Sequence, residues 1–145
     1  MTEEHTPTKV VWDTKLAVVL RDDLLAWQEL NITAFLVSGI AATVDGITGQ
    51  PYVDGSGNTY LPMFRQPVLV FSAGDEKLRQ IHERAMRREV PVAIYTEELF
   101  VTNNDEDNRA AVLAVEFDKL RLVGIAMRTD AKTVDKIIKG AALHG

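Results

Sequence analysis

The sequence predicts a layered α/β domain built on a four-stranded central sheet, and three observations carry that expectation. Short apolar runs rich in β-branched residues, such as Lys15 to Leu20, have the composition of strands buried on both faces. Segments with helical hydrophobic spacing fall between those runs, the order that builds βαβ crossovers. At 145 residues the chain has the size of one domain, long enough to hide about two-thirds of its unfolded surface.

Residues 1–13 read as a polar lead-in, with Glu3 and Glu4 where a signal or transit peptide would be basic or apolar, and with Pro7 opposing regular structure. The first strand, 15–21, stops at Arg21-Asp22-Asp23. A helix follows from about Leu24 to Thr43. Ile32, Phe35, Leu36 and Ile40 form its apolar stripe, and Trp27, Ala34 and Ala41 widen it, so the helix is expected to be well buried.

Residues 45–66 are rich in Gly and Pro. Tyr52-Val53 and Thr59-Tyr60-Leu61 flank Asp54-Gly55-Ser56-Gly57-Asn58, which predicts a β-hairpin inserted outside the core sheet. The second core strand is 67–73. Ser72 is placed to cap the next helix, with Asp75 three residues on. That helix runs to about Glu89 and spaces Leu78, Ile81, His82, Ala85 and Met86 along one face. Pro91 opens the third strand, 91–96, and the polar cluster 103–107 can start a helix over 108–115, with a strand there as the alternative. The fourth strand is 120–127. Thr129 or Asp130 caps a last helix that buries Val134, Ile137 and Ile138 and ends at Gly140.

Hydrophobic residues make up 46% and charged residues 26% of the chain, a globular balance. With no cysteine there is neither a disulfide nor a thiolate metal site, which fits a reducing cytoplasm. The net charge of -5 disfavours a nucleic-acid partner, since phosphate neutralisation needs the opposite sign. No apolar run reaches the length of a membrane span. His5, His82 and His144 are not spaced as metal ligands, and there is no G-x-S-x-G nucleophile elbow. No metal and no cofactor are implied.

Two segments carry candidate chemistry, both at the C-terminal ends of predicted strands, where open α/β sheets gather ligands. Arg21-Asp22-Asp23 offers a guanidinium and two carboxylates on one turn, enough for an anion clamp and a general base. The competing reading makes an aspartate the helix cap and pairs Arg21 with its neighbour. Thr102 to Arg109 is dense in hydrogen-bonding groups, which reads as a solvated loop or, with Asn103, Asn108 and Arg109 as contacts, as a site for a polar ligand. The Asp54 to Asn58 turn lacks the distal glutamate of a calcium loop and does not open a helix as a phosphate loop must. The residues thus point to a domain that binds a small polar or anionic ligand through Arg21, Asp22, Asn103, Asn108 and Arg109, with hydrolysis as the chemical option.

Lys-Leu-Ala-Val-Val-Leu-Arg-Asp-Asp-Leu (15–24), Trp27-Gln28-Glu29-Leu30-Asn31, Gln66-Pro67-Val68-Leu69-Val70 and Leu122-Val123-Gly124-Ile125-Ala126 together resemble an uncharacterised family, catalogued as domain of unknown function two thousand, over nearly the whole chain after residue 14. That family is similar in fold to the type II peptidyl-tRNA hydrolases. The resemblance implies a three-layer α/β sandwich with a four-stranded mixed, mainly parallel sheet, and a cytoplasmic homodimer. Those hydrolases open with a strand ending in Arg-x-Asp-Leu, matched here by Arg21, Asp23 and Leu24. With one inserted residue, Asn31 falls where their catalytic lysine stands, and Thr102 is the loose counterpart of the threonine in their later motif. The resemblance therefore implies Asp23, Asn31 and Thr102 as catalytic candidates of an esterase with an altered site. A third expectation is a non-catalytic dimer or interaction module that uses the hairpin as its partner surface.

Overall fold

The computed structural model describes residues 5–145; the first part of the lead-in, residues 1–4, lies outside the described residues. The chain runs without regular structure to Asp13 and then enters strand β1, Thr14–Arg21. Leu16 to Leu20 are all but inaccessible to solvent, as an uninterrupted apolar run requires. Helix α1, Ala26–Thr43, follows, then a hairpin of β2, Tyr52–Val53, and β3, Thr59–Tyr60. Strand β4, Val68–Ala73, and helix α2, Asp75–Arg87, lead to β5, Val92–Thr96. After a 3-10 turn at Glu97–Phe100 come helix α3, Asp105–Leu113, strand β6, Leu122–Asp130, helix α4, Ala131–Ile137, and strand β7, Ala142–Leu143.

The central sheet has the order β5-β6-β1-β4-β7, and the hairpin forms its own two-stranded sheet outside it. The sheet therefore has five strands where the sequence predicts four. The extra one, β7, pairs Leu143 and Ala142 with Phe71 and Ser72 along the edge of β4. The sheet is mixed but not mainly parallel. Only β1 and β4 pair in parallel, while β6 runs antiparallel to both β1 and β5, and β7 antiparallel to β4.

Alternation along β1 sorts the core into two layers. Leu16, Val18 and Leu20 face α1, where they meet Ile32, Leu36 and Ile40. Ala17 and Val19 face the other side and pack with Leu78 and Ile81 of α2 and Val134 and Ile137 of α4. Gly124 of β6 lets α1 approach closely, because a Cβ there would lie 2.9 Å from Ile32 Cγ2 and 3.0 Å from Leu36 Cδ1.

Several local expectations change. Helix α1 starts at Ala26 with Leu25 as N-cap, so neither Asp22 nor Asp23 caps it; Gln28 instead accepts the Leu25 amide at 2.9 Å. Ser72 does not cap α2, because β4 continues through it and Gly74 occupies the cap position. Residues 105–113 are helical, with the Asn104 side chain accepting the Asp107 amide at 2.9 Å, which resolves the ambiguity over 108–115 for most of its length. Asp130 does cap α4, accepting from the Thr133 amide at 3.0 Å. Helix α1 is less buried than its composition suggests: Ala34, Trp27 and Phe35 are exposed. Among the described residues, no helix is long and apolar enough to cross a membrane.

Candidate functional site

Since β1, β4 and β5 all run one way, their C-terminal ends meet at one end of the sheet. There a cleft of about 590 Å³ opens between α1 and the segment that follows β5. On α1, Trp27, Asn31, Phe35 and Ser38 recur at helical spacing and line the cleft, one flank away from the Ile32, Leu36 and Ile40 stripe that faces the sheet. Tyr95 is the penultimate residue of β5, and Leu99 and Phe100 come from the 3-10 turn. Asn104 caps α3 and thereby fixes the Thr102 to Asn108 wall.

The aromatic rings form a connected surface. Trp27 meets Phe100 edge-on at 6.2 Å, Phe100 meets Tyr95 at 5.4 Å, and Tyr95 meets Phe35 edge-on at 5.8 Å. Burial pushes the Tyr95 phenol above its ordinary pKa, so it stays neutral, and it donates to the Leu99 carbonyl at 3.2 Å.

Opposite the rings stand amides and a hydroxyl. The Thr102 hydroxyl lies 3.1 Å from the Leu99 carbonyl and also bonds Asn108 Oδ1; its single proton serves one acceptor at a time. With Oδ1 held by Thr102, the Asn108 NH2 group has no protein partner among the described residues, and neither has the side chain of Asn31. Asn103 and Asn104 bond to each other at 3.3 Å. No lysine or arginine lines the cleft, and its one carboxylate, Asp105, is paired with Arg109. Among the described residues the result is a donor- and acceptor-rich site without a lining cation, set against apolar faces.

The structure therefore brings Asn31, Thr102, Asn103 and Asn108 together and leaves the other candidates outside. Arg21 lies on the odd-numbered side of β1, away from α1. Its guanidinium bonds Asp23 and Glu97, each at 2.6 Å. Burial opposes its charge, but those two pairs prevail and raise its pKa further. The Asp22 amide donates to the Ala73 carbonyl at 3.0 Å, tying the turn to the end of β4. Arg109 faces a second, apolar groove of about 860 Å³ that continues from the cleft past Phe35 to Ile94, Val112 and Leu113. Trp27, Phe35, Tyr95 and Phe100 were not legible as site residues, since aromatic side chains at helical or strand spacing read equally as core. Elsewhere the hairpin exposes Tyr52, Val53, Tyr60, Leu61 and Met63.

The protein is thus a small α/β protein with a five-stranded mixed sheet and a cleft of aromatic and amide side chains at its strand ends. Residues 14–145 match the family described as Protein of unknown function (DUF2000), and the chain belongs to that family. It is similar to a solved structure, a protein of unknown function from Agrobacterium tumefaciens strain C58, at 49% identity and a TM-score of 0.91, over 93% of this chain and 100% of the other. No curated protein shows significant similarity to the chain.

Proposed function

We propose that this protein binds a small, neutral ligand with a planar polar head in the cleft between α1 and α3. One observation carries the reading: the unpartnered amides of Asn31 and Asn108 line the same cleft as a connected aromatic surface, with no cation in the lining among the described residues. Amides pair with carbonyl, amide or ring-nitrogen groups, and the rings stack on a flat face. The apolar groove beside the cleft accepts a hydrophobic extension of the same ligand. The Arg21 pairs with Asp23 and Glu97 weigh against an anion at the neighbouring turn. Calorimetry with neutral planar amides tests this. Asn108→Ala is expected to weaken binding about 10-fold, the worth of one lost hydrogen bond; unchanged affinity would contradict the assignment.

A second reading, a peptidyl-tRNA hydrolase-like esterase with an altered site, draws support from Asn31 and Thr102 lining the same cleft. Asparagine cannot supply the missing cation, so turnover of peptidyl-tRNA is expected at least about 100-fold below that of a genuine hydrolase. A homodimer is the third reading, favoured by the exposed apolar side chains of the hairpin. Light scattering would show a dimer that Leu61→Lys weakens; a monomer at all concentrations would remove this reading.

A further inference from the structure

On the other flank of α1, away from the cleft, three side chains distant in sequence form a connected chain. Ser72, the penultimate residue of β4, bonds His144 Nδ1, and His144 Nε2 lies 2.8 Å from Glu29 Oε2. The fold positions each member. Ser72 pairs with Leu20 across the sheet and so faces the α1 side. The residue after β7, His144, is held by its backbone amide, which donates to the Val70 carbonyl at 2.9 Å. Glu29 lies in the first turn of α1.

We propose that Ser72, His144 and Glu29 are a nucleophile, general base and orienting carboxylate that act on small carboxylic esters, a site distinct from the amide cleft. An imidazole that donates Nε2–H to a carboxylate keeps its lone pair on Nδ1, so the hydroxyl of Ser72 donates to it. That is the protonation pattern of a serine nucleophile with its base, with the two ring nitrogens exchanged relative to the commonest arrangement. As Oγ bonds the ester carbonyl carbon, Nδ1 takes the Oγ proton. The carbonyl–alkoxy bond then breaks, and the proton passes to the departing alkoxide, leaving an acyl group on Ser72. Water, losing a proton to Nδ1, attacks that acyl group and releases the carboxylic acid, while Oγ recovers the proton.

The surroundings define the substrate class. The side chains of His144 and Glu29 are 32% and 25% exposed, so the site is open rather than enclosed. Leu25, the N-cap of α1 one turn before Glu29, is exposed and offers apolar contact to a short acyl group.

The test uses the full chain with p-nitrophenyl acetate and a fluorophosphonate probe, followed by intact mass measurement and peptide mapping. One acyl or phosphonyl group per chain is expected, located on Ser72, and the mapping needs no variant. His144→Ala is expected to slow acylation by about 100-fold or more, and Glu29→Gln by a smaller factor, with folding of each checked by circular dichroism. An unlabelled Ser72, or a rate in folded His144→Ala equal to the native one, would mean that the three residues merely clasp β7 to α1 and would overturn the proposal.

Discussion

Replacing Gly124 with alanine tests how closely α1 is seated on the sheet. The new Cβ would lie 2.9 Å from Ile32 Cγ2, 3.0 Å from Leu36 Cδ1 and 3.3 Å from Leu20 Cδ2. Carbon atoms prefer about 3.5–4.0 Å, so α1 must lift by several tenths of an ångström. All three neighbours are buried, which leaves no free volume for a rotamer change. Overpacking of this kind costs about 1–3 kcal/mol. The loss of glycine flexibility in the unfolded chain returns about 0.4–1 kcal/mol, for a net loss near 1–2 kcal/mol. Melting followed by circular dichroism should drop by about 3–6 °C for a chain of this size. Ile32→Leu removes the offending Cγ2 at nearly constant volume, so the double variant should be less destabilised than the sum of the single ones. Asn31 and Phe35 ride on the same helix, and ligand affinity should fall with stability. A Gly124→Ala protein as stable as the native one would refute the close seating.

Three further outcomes follow from the charges. Burial, opposed by the nearby Glu83, holds His82 below its ordinary pKa, and its ring packs 4.8 Å from that of Phe117. The unfolded chain then binds more protons than the folded one, so His82 stabilises fully above its ordinary value of 6.5 and that contribution is lost as pH falls toward the folded value; His82→Gln should flatten the acid limb of a melting-temperature profile. Hydrogen bonds from Tyr60 and from the Asn58 side chain and amide lower Asp54 from 3.8 to about 2, so the hairpin turn keeps its order above 3.8 and loses it as pH falls through about 2, read from the Asn58 amide resonance; a turn that loosens already above 4 would contradict this. Arg21→Ala should lower stability by about 1–2 kcal/mol and combine non-additively with Glu97→Gln, because both remove one partly buried pair; additive losses would contradict that pairing.

The strand cores were legible because an apolar run such as Leu16 to Leu20 has few places to go except the middle of a sheet. Strand direction was not, since such a run looks the same whichever way its neighbour points. Strand β6 settles between β1 and β5, antiparallel to both. Strand β7 is two residues long and carries no periodicity; the free edge of β4 recruits it. In the cleft Thr102, Asn103 and Asn108 could be anticipated from their place after a strand, and Asn31 only through the family resemblance. Trp27 and Phe35 could not, because an α1 flank and its buried stripe differ by one residue in phase. The Ser72–His144–Glu29 chain joins residues separated by 72 and 115 positions, so no local motif announces it.

The central claim is that the cleft takes a neutral planar head, and the most direct measurement is a nuclear magnetic resonance titration of the isotope-labelled protein. Nicotinamide, uracil and adenosine serve as neutral probes, with nicotinate and orotate as anionic counterparts. The account predicts that neutral members shift the side-chain amides of Asn31 and Asn108 and the indole of Trp27, and that the anions bind more weakly. Preferential binding of the anions, shifts centred on Arg21, or no shift at Asn31 and Asn108 with any neutral probe would contradict it.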